Sequence, residues 1–441
     1  MKWILAVLAL LLAGLVLKLS LLVFAMYVLL GALMLSRFFT RVWAENISAE
    51  RFCAEHALEI GQTAEMTVAL ENRGRLAIPW VLVEDSLPRD ALIQVPHRIK
   101  AEGARLDLLR LKPRESFHLH YKVTFLMRGY YQLGPLCLET GDLFGLHRRF
   151  RVLADPHYVL VLPKVLPLEG YSLASRRPLG EIRVAHRLFE DPTRIAGVRP
   201  YQQGDSMNRI HWRATARTGV LHSRIFESSR VAGATFLLDF HIRSFQGATA
   251  VVGAELAIVT VASIANAVCL MGQQIGFITN GRDAADRIRA EGWQAEFGAR
   301  SDAQKKAAET GSNDRLQPVL VGNGRGIERF ERILETLGRL ELTDGMEFRE
   351  MVEETAAKIR RDATVVAVLS EVTAETAEAL GDLVRRGFLV TAVMVCFGGE
   401  EVPLWAHPPE WAEMLLAQNV DFRMVTSEAS ITGLCAEAIV R

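Results

Sequence analysis

Eleven arginines, no lysine and five carboxylates fall between Arg176 and Arg230, a local positive excess in a chain whose 51 basic and 51 acidic residues otherwise cancel. A guanidinium offers a planar fork that pairs carboxylates and phosphates bidentately and stacks on rings. Arg199, Arg209, Arg213 and Arg217, interleaved with Tyr201, His211 and Trp212, therefore form a candidate recognition surface. Arg209, Arg213 and Arg217 recur every four residues and line one face if residues 208–217 are helical. Asp205 stands where it could cap that helix or accept from the row. The same side chains could instead bond carboxylates and helix ends of an adjoining domain and act as a joint. Rings among arginines also suit single-stranded nucleic acid, but zero net charge and the lack of a nucleic-acid motif leave no nucleic-acid partner expected.

Other constellations are weaker. His118 and His120 have H-x-H spacing, yet they share a polar strand face with Lys122 and no third ligand lies nearby in sequence. Gly322-Asn323-Gly324-Arg325-Gly326 could cradle a phosphate at a helix terminus or simply turn a strand into a helix. The chain has no G-x-S-x-G elbow, H-E-x-x-H helix or G-x-x-x-x-G-K-[ST] loop. No cofactor and no small-molecule ligand is expected, and the leading expectation is a non-enzymatic interaction protein. The alternative is a hydrolase of envelope material with a site around Asp205 and His211. Five scattered cysteines, never at C-x-x-C spacing, suit reduced thiols rather than a disulfide framework.

The elements that must carry these residues fall into regions. Residues 3–35 contain one charge, Lys18. As one helix they would span about 50 Å, against a hydrocarbon core of about 30 Å. The reading adopted is a transmembrane hairpin, residues 3–17 and 21–35, within residues 1–44. Lys2, Arg37 and Arg41 flank it against Lys18 alone at the turn, which places the remainder in the cytoplasm by the positive-inside bias. A single tilted signal anchor, exporting the remainder, is the rival. Residues 45–165 alternate with period two, notably over 117–125, and predict an all-β, immunoglobulin-like sandwich. Residues 166–230 join it to an α/β, doubly wound domain over 231–441, with strands at 235–240, 274–279, 364–369 and 388–397 and helices at 248–271 and 375–386. The 248–271 segment is long enough to span a membrane, but Glu255, Ser263 and Asn266 favour a core helix.

Arg199, Tyr201, Gly204, Asp205, Arg209, Ile210, Trp212, Ala216 and Arg217 resemble the signature R-x-Y-x-x-G-D-x-x-R-x-I-x-W-x-x-x-A-R of the bacterial domain of unknown function 58 family. Arg128-Gly129, Tyr131, Leu133-Gly134-Pro135 and Asp142-Leu143-Phe144-Gly145-Leu146 are similar to its R-G-x-x-x-L-G-P and D-P-F-G-L elements, with Leu143 at the usual proline. The resemblance implies a membrane-anchored bacterial protein without established catalysis, a MoxR-type AAA+ ATPase as partner, and a C-terminal half like the von Willebrand factor type A fold. Such domains hold a cation through D-x-S-x-S. Here Asp239 keeps its place, but His241 and Arg243 stand at the serine positions. The metal site is therefore expected to be lost, with Asp239 bonded to an arginine.

Overall fold

The computed structural model describes residues 2–93, 95–142, 145, 147–168, 190–202, 210–228, 233–247, 250–291, 316–360, 363–396 and 409–434. They form two compact units that part between Val161 and Leu162.

The first unit opens with helices α1 (Lys2–Val16) and α2 (Ser20–Glu45), folded against each other. Lys18, at the turn, adopts a left-handed backbone with φ of 53°. Gly14 allows the close approach, since a Cβ there would meet Val23 at 3.2 Å and Leu22 at 3.3 Å. The outward side chains, among them Leu12, Leu21 and Phe24, are at least 66% exposed, an apolar surface of the kind that only lipid or a partner covers. Helix α2 is ten residues longer than the arm expected to end at residue 35. The extra turns persist because they pack on the next domain: Thr40 and Ala44 are buried, and Phe39 stacks on Trp43. Arg151 Nη1 donates to the carbonyls of Ala44 (3.0 Å) and Glu45 (3.4 Å), and Asn46 Nδ2 donates to that of Val42 (2.8 Å), so the helix end is capped.

Eleven strands follow: β1 (Ile47–Phe52), β2 (Ala57–Glu59), β3 (Thr63–Asn72), β4 (Ile78–Asp85), β5 (Ile99–Gly103), β6 (Leu106–Leu111), β7 (Ser116–Phe125), β8 (Gly129–Leu133), β9 (Leu136–Gly141), β10 (Arg148–Ala154) and β11 (His157–Leu162). A short helix, α3 (Arg89–Ile93), lies between β4 and β5. Two four-stranded sheets, β1-β3-β7-β5 and β10-β9-β4-β6, and a three-stranded sheet, β2-β11-β8, make the predicted β-sandwich. The period-two reading holds residue by residue. Leu119, Tyr121, Val123 and Phe125 of β7 are buried with Met66, Val68 and Leu70 of β3, while His118, His120 and Lys122 face outward.

One buried pair organises the far end of this sandwich. Arg51 is bonded to both carboxylate oxygens of Asp85, with side chains 5% and 1% exposed. Tyr121 Oη donates to Asp85 Oδ2 (2.7 Å), and Arg51 Nη1 donates to the carbonyls of Leu133 (3.1 Å) and Asp155 (2.8 Å). Burial, then the Asp85 charge, pushes the Tyr121 phenol above its usual range, so it stays a donor. Gly134 has φ of 96°, and a Cβ there would collide with the Arg51 guanidinium. The glycine of the L-G-P element is thus required by an arginine 83 positions earlier. Tyr131 Oη donates to the carbonyls of Met127 (2.8 Å) and Arg128 (3.2 Å), so this element serves the corner of the sandwich.

The second unit contains β12 (Glu190–Pro200) paired with β13 (His222–Ser228), with α4 (Trp212–Thr218) between them. A six-stranded sheet follows, with β14 (Gly233–Leu238), β15 (Ile275–Thr279), β17 (Val319–Gly324), β19 (Ala363–Leu369), β20 (Val390–Val395) and β21 (Asp421–Val425). β16 (Arg282–Asp283) and β18 (Leu340–Glu341) form a separate ladder. The order β17-β15-β14-β19-β20-β21 is a doubly wound 3-2-1-4-5-6 sheet. All neighbours are parallel except β17, which is antiparallel to β15, a departure from the all-parallel expectation. Helices α5 (Ala250–Leu270), α6 (Ala284–Glu291) and α7 (Ile327–Arg339) precede α8 (Phe348–Thr355), α9 (Ala374–Arg385), α10 (Glu410–Ala417) and α11 (Glu428–Gly433). Phe236 and Leu238 join the cluster containing α5 and α7, whereas Leu237 joins the one containing α8, α9 and α10. Covering on both faces explains the unbroken apolar strands. The 248–271 segment is the buried α5, as a core helix.

The glycine-rich run is strand rather than cradle. Gly322, Asn323 and Gly324 lie in β17, and the Asn323 side chain occupies space left by Gly276, where a Cβ would strike it. Asn323 Oδ1 accepts from Thr235 Oγ1 at 3.2 Å.

Removing one member of the Arg51–Asp85 pair strands a buried charge. Asp85→Ala or Arg51→Ala should lower the unfolding free energy by about 3–5 kcal/mol, read as a fall in Tm of the full chain in detergent. Arg148→Ala, on the exposed rim, should move it by less than about 0.5 kcal/mol.

Candidate functional site

Two places in the second unit concentrate chemistry. The first is the arginine-rich signature. Helix α4 begins at Trp212, with His211 as its N-cap: His211 Nδ1 accepts from Ala214 N at 3.0 Å. It ends at Gly219, whose φ of 71° supplies the left-handed cap. Ile210 and Ser223 form a bridge, each 1% exposed, and His211 N donates to His222 O at 2.8 Å. Tyr201 N donates to Leu221 O at 2.8 Å. The signature is therefore a two-stranded ladder with one short helix folded across its open end.

This corrects the helical row expected over residues 208–217. Ile210 is in a bridge and His211 is the cap, so the helix stops short of Arg209; Arg213 and Arg217 alone share its face. Gly204, Asp205 and Arg209 lie outside the described residues. His211, offered as part of a hydrolytic site with Asp205, has one ring nitrogen engaged in capping. Trp212 is 63% exposed, Val220 58% and Leu221 41%, and Arg213 and Arg217 are exposed beside them. Arg199 is half-buried, with Nη1 donating to Pro200 O at 3.3 Å. An exposed indole on a helix that also carries two exposed arginines is what a protein-binding patch offers.

The second place is the switch point of the sheet, where the connections from β14 and β19 leave in opposite directions. β14 stops at Leu238 and Asp239 follows, 4% exposed. Asp239 Oδ1 accepts from Asn280 Nδ2 (2.8 Å) and His241 N (3.3 Å), and Oδ2 from Ser244 Oγ (2.5 Å). Asn280 is 1% exposed, donates to Met346 O (3.1 Å) and accepts from Phe240 N (2.7 Å). Ser370, just after β19, donates to Ser244 O at 2.5 Å. Burial raises the Asp239 carboxyl above its usual range, against the opposing hydrogen bonds from Ser244, Asn280 and His241 N.

Among the described residues Asp239 is thus held by Asn280 and Ser244, not by the arginine expected. Arg243 turns outward, 74% exposed, to Glu347 Oε1 at 3.0 Å. His241 Nδ1 accepts from Arg243 N at 3.2 Å. The residues do not fit the hard divalent cation of a D-x-S-x-S site: both Asp239 oxygens already accept from protein donors, and the remaining positions offer imidazole and guanidinium. Among the described residues no group of three or more His, Cys, Asp or Glu could hold a metal ion. On the sandwich, His118 and His120 stand with ring centroids 6.2 Å apart, and His120 Nδ1 lies 3.1 Å from Thr67 Oγ1. Sequence reading found Asp239 but missed Asn280 and Ser370. The signal was available, since Leu238-Asp239, Thr279-Asn280 and Leu369-Ser370 each mark an apolar strand halting on a polar residue.

Comparison with known proteins follows this geometry. Residues 197–297, running from the end of β12 past α6, match the family described as "Protein of unknown function DUF58". The "Uncharacterized protein YeaD" of Bacillus subtilis (strain 168) is 24% identical over 195 residues, 44% of this chain and 48% of that protein. The chain therefore spans about half the length of the curated relative it matches. Among solved structures, the CARDB domain of the PF1109 protein of Pyrococcus furiosus, in complex with di-metal ions, covers 26% of this chain and 87% of its own at 16% identity, with a TM-score of 0.18. Trypsin-activated alpha-2-macroglobulin of Escherichia coli covers 26% and 7% at 14% identity, with a TM-score of 0.20. Scores so low carry no argument.

The raised Asp239 carboxyl gives a pH test. Its contribution to stability is present below the unfolded carboxylate value, near pH 4, and is lost as pH rises through the folded value. Asp239→Asn can keep the Asn280 bond and has no charge to bury. Its Tm relative to the parent chain should therefore climb between pH 4 and pH 8. A difference that falls with pH would mean that the site stabilises the anion.

Proposed function

We propose that this chain of the DUF58 family is a non-enzymatic, membrane-tethered interaction protein, and that α4 with its flanking loop docks a MoxR-type AAA+ ATPase in a chaperone-like or envelope-related system. The single observation behind this reading is the exposed Trp212 beside Arg213 and Arg217, on a fold whose one deeply buried carboxylate at the switch point is already satisfied. Trp and Arg are the side chains that most often dominate protein-protein binding energy. The α/β region is read as von Willebrand factor type A-like, supported by its 3-2-1-4-5-6 order and antiparallel third strand. Such a scaffold would present α4 as a rigid reading head without chemistry of its own.

The α1–α2 pair is read as the anchor in a bacterial inner membrane. Both chain directions then return to one side, and the body is assigned to the cytoplasm from Lys2, Arg37 and Arg41.

With purified full chain and a MoxR-type AAA+ ATPase from the same bacterium, Trp212→Ala and the Arg213→Glu/Arg217→Glu pair should each weaken binding roughly tenfold or more. Their Tm should stay near that of the parent chain, because these side chains are exposed. Unchanged Kd in folded variants refutes the docking role. A cytoplasm-dependent fluorescent reporter fused after Arg441 should be active, and activity only of an export-dependent reporter would overturn the sidedness.

A further inference from the structure

We infer that one end of the β-sandwich, carrying the 73–77 and 112–115 connections, rests on anionic lipid headgroups. The inference depends on the membrane reading of α1 and α2. Its starting point is the direction of α2. Ser36 Oγ lies 3.0 Å from His147 Nδ1, and Ala44 O accepts from Arg151 Nη1 at 3.0 Å. Eight helical residues rise about 12 Å and four strand residues about 13 Å, so the end of α2 runs alongside β10 in the same direction. Residues 20–35 then project beyond the β9–β10 turn by about 24 Å, close to the thickness of a hydrocarbon core.

The connections β3 to β4, β6 to β7 and β9 to β10 all lie at that end, as the antiparallel registers require. Asn72, fully buried, locks two of them together: its Nδ2 donates to Leu76 O (2.9 Å) and Lys112 O (3.0 Å), and its Oδ1 accepts from Gly74 N (2.9 Å). Arg73 N donates to Asn46 O at 2.9 Å, which ties the same loop to the end of α2. The distance from the apolar helices to this surface is thus set by packed structure.

The charge on this surface has one sign in excess. Arg41 pairs with Glu45, Arg73 with Glu71 and Arg148 with Glu139. The Arg37, Arg75, Lys112 and Arg114 side chains are exposed and form no salt bridge among the described residues, although Lys112 N donates to Glu115 Oε2 at 2.6 Å. Leu76, 44% exposed, sits among them. Cations around an apolar side chain, held beside the base of a membrane hairpin, match a headgroup layer: each Lys or Arg gains from the anionic surface, and the leucine can enter the interface.

The full chain, reconstituted in phosphatidylcholine vesicles with or without phosphatidylglycerol, tests this. A photoreactive p-benzoylphenylalanine would replace Leu76, Val95 at the opposite end of the sandwich, or Phe24 within α2, and lipid adducts would be read by mass spectrometry. Adducts are expected at Leu76 in phosphatidylglycerol vesicles, at Phe24 in both, and not at Val95. Arg75→Glu/Lys112→Glu/Arg114→Glu should cut the Leu76 adducts roughly tenfold or more, with far-UV circular dichroism unchanged. Adducts at Phe24 without any at Leu76, or Leu76 adducts indifferent to phosphatidylglycerol and to charge reversal, overturn the inference while leaving the anchor intact. Failure at Phe24 itself overturns both.

Discussion

A buried carboxylate must be given donors, and in each unit of this protein one such carboxylate sets the local architecture. Asp85 closes β4 and takes Arg51 and Tyr121; the guanidinium then occupies the space above Gly134, so the next turn can only be glycine. Asp239 follows β14 and takes Asn280, Ser244 and a backbone N–H, which draws the loops after β14 and β15 together at the switch point. The two solutions differ in charge. Asp85 faces a cation, whereas Asp239 has only neutral donors, and at Asp239 burial outweighs those donors and raises the carboxyl.

The contrast with the signature is physical as well. Its buried parts are backbone bonds and the Ile210–Ser223 bridge, which hold the shape. Its large side chains are left in water: Trp212, Val220 and Leu221 give up the burial that a core would provide. The polar matches at Asp85 and Asp239 are thus made inside the protein, while the Trp212 indole and the Arg213 and Arg217 guanidiniums are left in water. The capped, packed end of α2 plays a comparable part in the first unit, because a helix fixed to a sandwich transmits orientation where a loose linker would not.

Much of the fold is legible in the residues. The single charge in residues 3–35, the alternation over 117–125 and the unbroken apolar runs of the later strands each reflect a local periodicity that solvent and core impose on adjacent residues. The misses have a common cause. The extra turns of α2 depend on Arg151 and on packing against β9 and β10, more than 100 positions away. The run Gly322–Gly326 reads as a phosphate cradle or a strand-to-helix turn, whereas Gly322 to Gly324 belong to β17, where Asn323 fills the space beside Gly276 on the neighbouring strand. The row through Arg209 failed because four-residue spacing says nothing about where a helix starts.

By itself the sequence determined which segments are apolar, which alternate, and which residue types the signature contains, since these depend on neighbours along the chain. The structure shows that His211 caps α4, that Asp239 answers to Asn280 and Ser244, and that Arg243 turns away to Glu347. The Asn280 and Glu347 contacts depend on groups brought together from distant segments, and hydrogen bonding is short-ranged and directional. No spacing along one chain encodes which of several nearby donors will reach a buried oxygen first.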